Sequence, residues 1–147
     1  MANETSQLDD PRDVSRLLRT HGITPTRQRV VIAQAMLSRP QHLSADQVLE
    51  LARSSGGKVS KATVYNTLGL FSHKGLIREL IIDAQRSFYD SSTHPHSHFY
   101  NRATQELTDV EQGSFDITLP ERLPDGTEIE RVDVVIHLRP SGKTAKN

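Results

Sequence analysis

The sequence predicts an α+β chain of two small units, a set of short helices closed by a strand pair and then a smaller α/β unit. Three observations carry this expectation. Apolar residues recur at helical spacing behind capping residues as far as residue 73, and the pattern turns strand-like after Gly75. At 147 residues, neither half can bury more than a modest core, so pairing with a second copy is expected.

Composition narrows the class. With 35% apolar and 24% charged residues, the chain is globular in type rather than fibrous or collagen-like. No apolar run approaches the roughly 18 residues of a membrane helix, and the polar, acidic opening lacks a signal-peptide pattern, so a cytoplasmic protein free of membranes is expected. The absence of cysteine removes disulfides, thiolate metal sites and thiol redox switching. Zero net charge conceals an asymmetry: residues 1–82 carry 11 Lys+Arg against 7 Asp+Glu, and residues 83–147 carry 7 against 11. A basic first half suits a polyanion such as DNA.

In chain order, residues 1–11 read as a flexible tail and residues 13–20 as a first helix, with Val14, Leu17 and Leu18 on one side and Gly22 just past its end. Thr24 before Pro25 predicts the cap of a second helix, which runs to about Leu37 with Val30, Val31 and Leu37 inward. Arg39-Pro40 stops it. Ser44 and Gln47 stand at capping-box spacing and open a third helix to about Ala52, with Val48 and Leu51 on one face. Ser60 caps a fourth helix over 61–73. Val64, Leu68 and Phe71 face its core side, which turns Ala62, Tyr65, Asn66 and Gly69 outward. Residues 76–82 and 87–90 then alternate around a polar turn, and helices followed by such a hairpin make a winged helix over 12–90.

Residues 91–95 read as a hinge and 96–140 as a second domain. Strands are expected at 98–101 and 106–110, and a last one through Ile129, Val132, Val134, Ile136 and Leu138. Pro120 and Pro124 leave room for one helical turn at most, and 141–147 reads as a flexible tail.

Two constellations carry chemistry. The first is Lys61-Ala62-Thr63-Val64-Tyr65-Asn66, which puts a small residue, a Tyr and an Asn on one exposed helical face behind a basic helix start. Asn can pair with adenine, the Tyr ring can pack on a thymine methyl, and Lys61 can meet phosphate. On an isolated helix, a half-buried Tyr65 and a solvated Asn66 would be the simpler reading; between a helix-turn-helix and a wing, the balance moves to DNA. The expected DNA-binding residues are Arg19, Arg27, Lys61, Ala62, Thr63, Tyr65, Asn66 and Arg86, with Arg12, Arg16 and Arg29 nearby.

The second constellation is His94-Pro95-His96-Ser97-His98. Residues two apart on a strand share a side, so His96 and His98 can converge on one ion, whereas His94 is set off by a proline. Asp90 just upstream and Asp109 on the next strand offer oxygen donors, and His42, a turn residue if taken alone, can add a further imidazole. Such a set of N and O donors without sulfur suits Fe²⁺ or Mn²⁺ better than structural Zn²⁺, although Zn²⁺ can bind in vitro.

With both constellations in place, the chain resembles the ferric uptake regulator (Fur) superfamily. The matching stretches are Gly22-Ile23-Thr24-Pro25-Thr26-Arg27-Gln28-Arg29, His42-Leu43-Ser44-Ala45-Asp46, residues 61–68 and His96-Ser97-His98-Phe99. The resemblance implies a winged-helix DNA-binding domain, a hinge and a dimerisation domain, with a regulatory metal site at their junction. It also implies a homodimer on a double-stranded operator with inverted repeats. In the peroxide-sensing branch the ligands are three His and two Asp, and the matching positions are His42, Asp90, His96, His98 and Asp109. Asp rather than Glu at the two carboxylate positions favours that PerR-like branch, in which Fe²⁺ reacts with hydrogen peroxide and a ligand histidine is oxidised. His42 and His96 match the oxidised positions.

The chain departs from the family pattern in three places. Asn101 and Thr104 stand where the structural zinc site begins with a Cys pair, so no such zinc is expected. The long dimerisation helix is reduced to 119–123, which leaves strand pairing and the 132–138 face to hold the dimer. Pro95 and Ser97 occupy donor positions of the accessory site. The shortened, Cys-free form also resembles the iron-response (Irr-like) branch, where haem can be the signal, although its Cys-Pro haem motif is absent. The expectation is a metal-dependent repressor and not an enzyme. Beside it stand an iron- or haem-responsive regulator, a DNA-binding protein indifferent to metal, and a metal-dependent hydrolase, for which no motif supplies a substrate pocket.

Overall fold

The computed structural model describes residues 8–94 and 96–143; the expected tails at 1–7 and 144–147 and the hinge residue Pro95 lie outside the described residues. The chain divides into two compact units between Thr93 and His94. The first holds α1 (Pro11–Thr20), α2 (Arg27–Leu37), β1 (His42–Leu43), α3 (Ala45–Ser54), α4 (Lys61–His73), β2 (Arg78–Asp83) and β3 (Arg86–Asp90). The second holds β4 (His98–Asn101), β5 (Glu106–Asp109) and β6 (Val135–Leu138).

Caps decide where the helices begin. The Asp10 side chain accepts the Arg12 amide and so opens α1, and that bond, with the Arg12 guanidinium, holds the Asp10 carboxyl below the usual carboxylate range. Order therefore starts earlier than the expected tail boundary, and Leu8 already packs against the core. Gly22, at φ 72°, closes α1 by letting the Ile23 amide reach the Leu18 carbonyl.

The cap of α2 is Thr26 and not Thr24. Thr26 is extended and its hydroxyl accepts the Arg29 amide, while the Arg29 guanidinium donates to the Thr24 carbonyl at 2.9 Å and keeps that residue in the loop. The buried face of α2 is Ile32, Ala33, Met36 and Leu37; Val30 and Val31 are only half-buried beside it. On α3 the capping box of Ser44 and Gln47 forms as expected. Its inward face is Ala45, Val48 and Ala52, whereas Leu51 is 39% exposed. On α4, Val64, Leu68 and Phe71 are fully buried and Ala62, Tyr65, Asn66 and Gly69 are exposed, as their spacing predicts.

These faces meet in one core that joins Val14 and Leu18 of α1, Ile32 and Met36 of α2, Val48 of α3, the α4 residues and Tyr89 of β3. The wing is a three-stranded sheet of order β1-β3-β2. Its strand β1 is two residues long and escaped the sequence reading. It pairs His42 with Asp90 and Leu43 with Tyr89.

In the second unit the order is β5-β4-β6, with β4 antiparallel to β5 and parallel to β6. Tyr100 and Leu107 form a buried cross-strand pair. The Asn101 side chain closes the intervening turn by accepting the Ala103 and Thr104 amides at 3.0 and 3.3 Å. A parallel neighbour requires a long return, and residues 111–134 supply it without helix or strand. The single turn allowed at 119–123 is absent, and the last strand is confined to 135–138. The four residues of β4 can pair only those positions, which leaves Ile129 and Val132 exposed upstream.

The packing separates two leucines. Leu68→Ala is expected to cost roughly 2–5 kcal/mol in urea unfolding as a full core deletion, and Leu51→Ala roughly 0.5 kcal/mol or less as a surface change.

Candidate metal centre and DNA-reading face

Each unit assembles its own imidazole–carboxylate group. In the first, strand pairing sets His42 opposite Asp90, and His42 Nε2 lies 3.2 Å from Asp90 Oδ2. The other carboxylate oxygen, Oδ1, accepts the Ser92 amide at 2.8 Å, which fixes the plane of the carboxylate. Asp90 is buried within the sheet, next to Arg78, its register partner on β2, which is also buried. Directly opposed residues of an antiparallel sheet share a face, so His42, Asp90 and Arg78 form one row.

In the second unit, His98 and Asp109 are register partners on β4 and β5. His98 Nε2 lies 3.4 Å and His96 Nε2 3.0 Å from the same oxygen, Asp109 Oδ1. The two rings stand 4.3 Å apart, as expected of residues two apart in an extended run. One donor atom from each of His96, His98 and Asp109 lies within 4.8 Å of the other two.

The donor chemistry fits a cation. His96 Nδ1 sits 2.6 Å from the His94 carbonyl, a contact that needs the ring proton on Nδ1. Nε2 lies 3.0 Å from Asp109 Oδ1, a spacing that a shared cation or a proton on Nε2 can each satisfy. A backbone carbonyl holding the far nitrogen of an imidazole is also the common support of a metal-ligating histidine. His94 thus enters through its carbonyl. With no cysteine in the chain, the available donors are N and O, the chemistry of Fe²⁺, Mn²⁺ or Zn²⁺ sites rather than of thiolate zinc.

The DNA-reading candidates fall on one unit. Ala62, Tyr65 and Asn66 are exposed on α4, and Arg19, Arg27 and Arg86 are exposed on α1, α2 and the wing tip. Thr63 is half-buried and its hydroxyl meets Ser60 at the cap, which limits its reach outward. Lys61 pairs with Asp46 at 3.4 Å and lies 5.8 Å from the Tyr65 ring centre. Arg12, Arg16 and Arg29 are engaged with Asp10, Asp13 and the Thr24 carbonyl. A groove of about 580 Å³ between the start of α2 and the α3–α4 turn is lined by Arg27 and also by Lys58, which the sequence reading passed over. Gln41, Ser91 and Arg78 were missed as well. Their only sequence signal is adjacency to a ligand candidate, or alternation along β2, and both gain meaning only once the strands are paired.

A winged helix with an exposed polar helix face, in a chain bearing imidazole–carboxylate groups, has the form of a DNA-binding protein with a candidate metal site. The profile of the Ferric uptake regulator family matches residues 20–137, and the chain belongs to that family. Its members are regulators of transcription and not enzymes, which removes the hydrolase reading. The peroxide-responsive repressor PerR of Staphylococcus epidermidis is 28% identical over 117 residues, covering 79% of this chain and 78% of that protein. PerR of Staphylococcus saprophyticus is 29% identical over 99 residues, 67% of each chain. Among solved structures, the Pseudomonas aeruginosa ferric uptake regulator with manganese superposes at a TM-score of 0.63, with 24% identity over 86% of this chain and 96% of that one. The Francisella tularensis regulator with iron gives 0.64 at 22% identity, over 81% and 92%. At these identities the structural likeness shows the fold alone, and it is the α+β fold expected.

The Lys61–Asp46 pair generates a prediction. Asp46→Asn removes the competing carboxylate and is expected to tighten DNA binding, with a salt slope steeper by about one phosphate equivalent. A filter-binding series across salt concentrations measures both, and an unchanged slope would mean that Asp46 does not hold Lys61 back from phosphate.

Proposed function

We propose that the protein is a cytoplasmic, homodimeric repressor whose operator binding requires Fe²⁺ or Mn²⁺ held by His42, Asp90, His96, His98 and Asp109, and whose signal is hydrogen peroxide. The observation that carries the reading is the convergence of His96 and His98 on one oxygen of Asp109. Three imidazoles and two aspartates are the donor types that the resemblance assigns to the peroxide branch, and the relatives with peroxide-responsive names support that branch.

In this reading, iron bound there supplies the reduction of peroxide that leads to oxidation of an imidazole. The residues of the chain do the rest. The His94 carbonyl orients His96, the Ser92 amide orients Asp90, and strand pairing aligns His42 and His98 with their carboxylates. His42 and Asp90 belong to the first unit and the other three donors to the second, so one ion binding all five ties the units together. That tie sets the two reading helices of a dimer against successive half-sites of an inverted repeat. Arg19, Arg27, Lys61, Ala62, Thr63, Tyr65, Asn66 and Arg86 form the DNA-contacting set. Oxidation of His42 or His96 removes a donor and releases the operator. A second copy of the chain covers the exposed 132–138 face, where Val132 and Leu138 are two-fifths exposed.

The test is anaerobic operator binding by metal-free, Mn²⁺-loaded and Fe²⁺-loaded protein, repeated on the Fe²⁺ sample after a peroxide pulse. Metal is expected to raise affinity by roughly 5- to 150-fold, the range of ordinary coupling energies. His96→Ala is expected to abolish the gain without unfolding the chain. Loss of binding after peroxide, with a one-oxygen mass gain in the His42 or His96 peptide, establishes the peroxide sensor. Metal-dependent binding that survives peroxide points instead to iron or haem as the signal, and binding indifferent to metal overturns the reading.

A further inference from the structure

The residues flanking the donor pair of the first unit are fastened to the end of a helix. Gln41 precedes His42, and Ser91 follows Asp90. The Gln41 amide donates to the Ser91 hydroxyl at 3.0 Å, and the Ser91 amide donates back to the Gln41 carbonyl at 3.2 Å. The Gln41 side-chain amide meanwhile donates to the Ala35 and Met36 carbonyls of α2, at 2.8 and 3.0 Å. Those carbonyls lie in the last turn, where a helix has no amides of its own to satisfy them. Gln41 thereby joins three chain segments: the end of α2, the start of β1 and the exit from β3.

We propose that Gln41 and Ser91 form a clasp that preorganises His42 and Asp90 for the ion and couples ion occupancy to helix α2; the proposal rests on the metal reading above. Neither residue is a ligand. They are positioning residues, and each lies one peptide away from a donor whose partner stands 3.2 Å across the sheet. Without the clasp, the ion itself must order the two strand ends, and affinity falls by that ordering cost even though every donor is still present. The helix end that Gln41 holds belongs to an element packed in the common core with α1, α3 and α4. A tie at this point therefore reaches the body of the DNA-reading unit, and by linkage the ion and DNA favour the same arrangement.

The test is titration of the full metal-free chain with Mn²⁺ alone, beside thermal unfolding of the same samples. Ser91→Ala and Gln41→Leu are each expected to weaken Mn²⁺ binding by roughly tenfold, the lower end of what supporting residues around metal ligands contribute. Ser91→Thr keeps the hydroxyl and is expected to stay close to the unsubstituted chain. The double variant should be weaker than either single one, because Gln41→Leu frees the end of α2 and Ser91→Ala frees the Gln41 main-chain amide, two separate links. Unchanged Mn²⁺ affinity in folded Ser91→Ala, even with a lower Tm, would reduce the clasp to a structural brace and overturn the proposal. If Gln41→Leu does not fold, the Ser91 pair decides. His42→Ala and Asp90→Asn separate the two claims: loss of Mn²⁺ there with normal binding in Ser91→Ala leaves the metal site standing and removes the clasp, whereas normal binding in both donor variants removes the metal reading itself.

Discussion

The pairing of β1 with the end of β3 is the constraint on which the first unit's chemistry depends. Two residues make the strand, and two backbone partners on β3 define its register. That short ladder places an imidazole against a buried carboxylate, and a shift by one residue would send His42 to the opposite face, beside Tyr89 and the helical core. Because Ser44, one residue beyond the strand, caps α3, the same few residues set both the donor and the start of the helix that supports the reading helix. Sheet register, helix capping and ligand placement are thus one local problem with one solution.

The second unit solves a related problem with fewer resources. It has three four-residue strands, no cysteine and a long exposed return between β5 and β6. Where the family resemblance leads one to expect a Cys pair, the Asn101 carboxamide holds the turn through two backbone amides, so the hairpin closes without an ion. The hairpin in turn aligns His98 with Asp109, and the extended backbone before β4 brings His96 to the same oxygen. The candidate metal donors and the hydrogen bonds of the turn therefore sit on different residues in this chain. The exposed Phe115, Ile117, Leu119 and Leu123 lie along the return that replaces the expected helix.

Electrostatics give the two faces different characters. On α4 the cation Lys61 is held by Asp46 and by the Tyr65 ring, both partners at the protein surface. Around Asp90 the charges are buried, and burial makes each contact strong and each omission costly. Tyr89, on the other face of β3, shows the same effect: burial first, with Glu79 nearby, pushes its phenol up to about 12.

Whatever depends on neighbours close in sequence was legible beforehand. The capping box of Ser44 and Gln47, the Ser60 cap, the buried stripe of Val64, Leu68 and Phe71, the hairpin at 83–86 and the shared side of His96 and His98 all follow from backbone periodicity and hydrogen bonds a few residues long. What failed was decided by partners far along the chain. Thr26 displaced Thr24 as a cap because Arg29 claims the Thr24 carbonyl; Leu51 turned outward because α3 buries Ala45, Val48 and Ala52 instead; the last strand stopped at Val135 because β4 offers only four residues to pair with. The strand β1 and the contacts of Gln41 with Ser91 and α2 have no local signature at all, since a two-residue strand exists only through its ladder. The sequence by itself determined the donor types and the helix faces. Only the tertiary structure decided which donors meet and what holds them, because register and side-chain contacts are set by the competition of distant segments for the same hydrogen bonds.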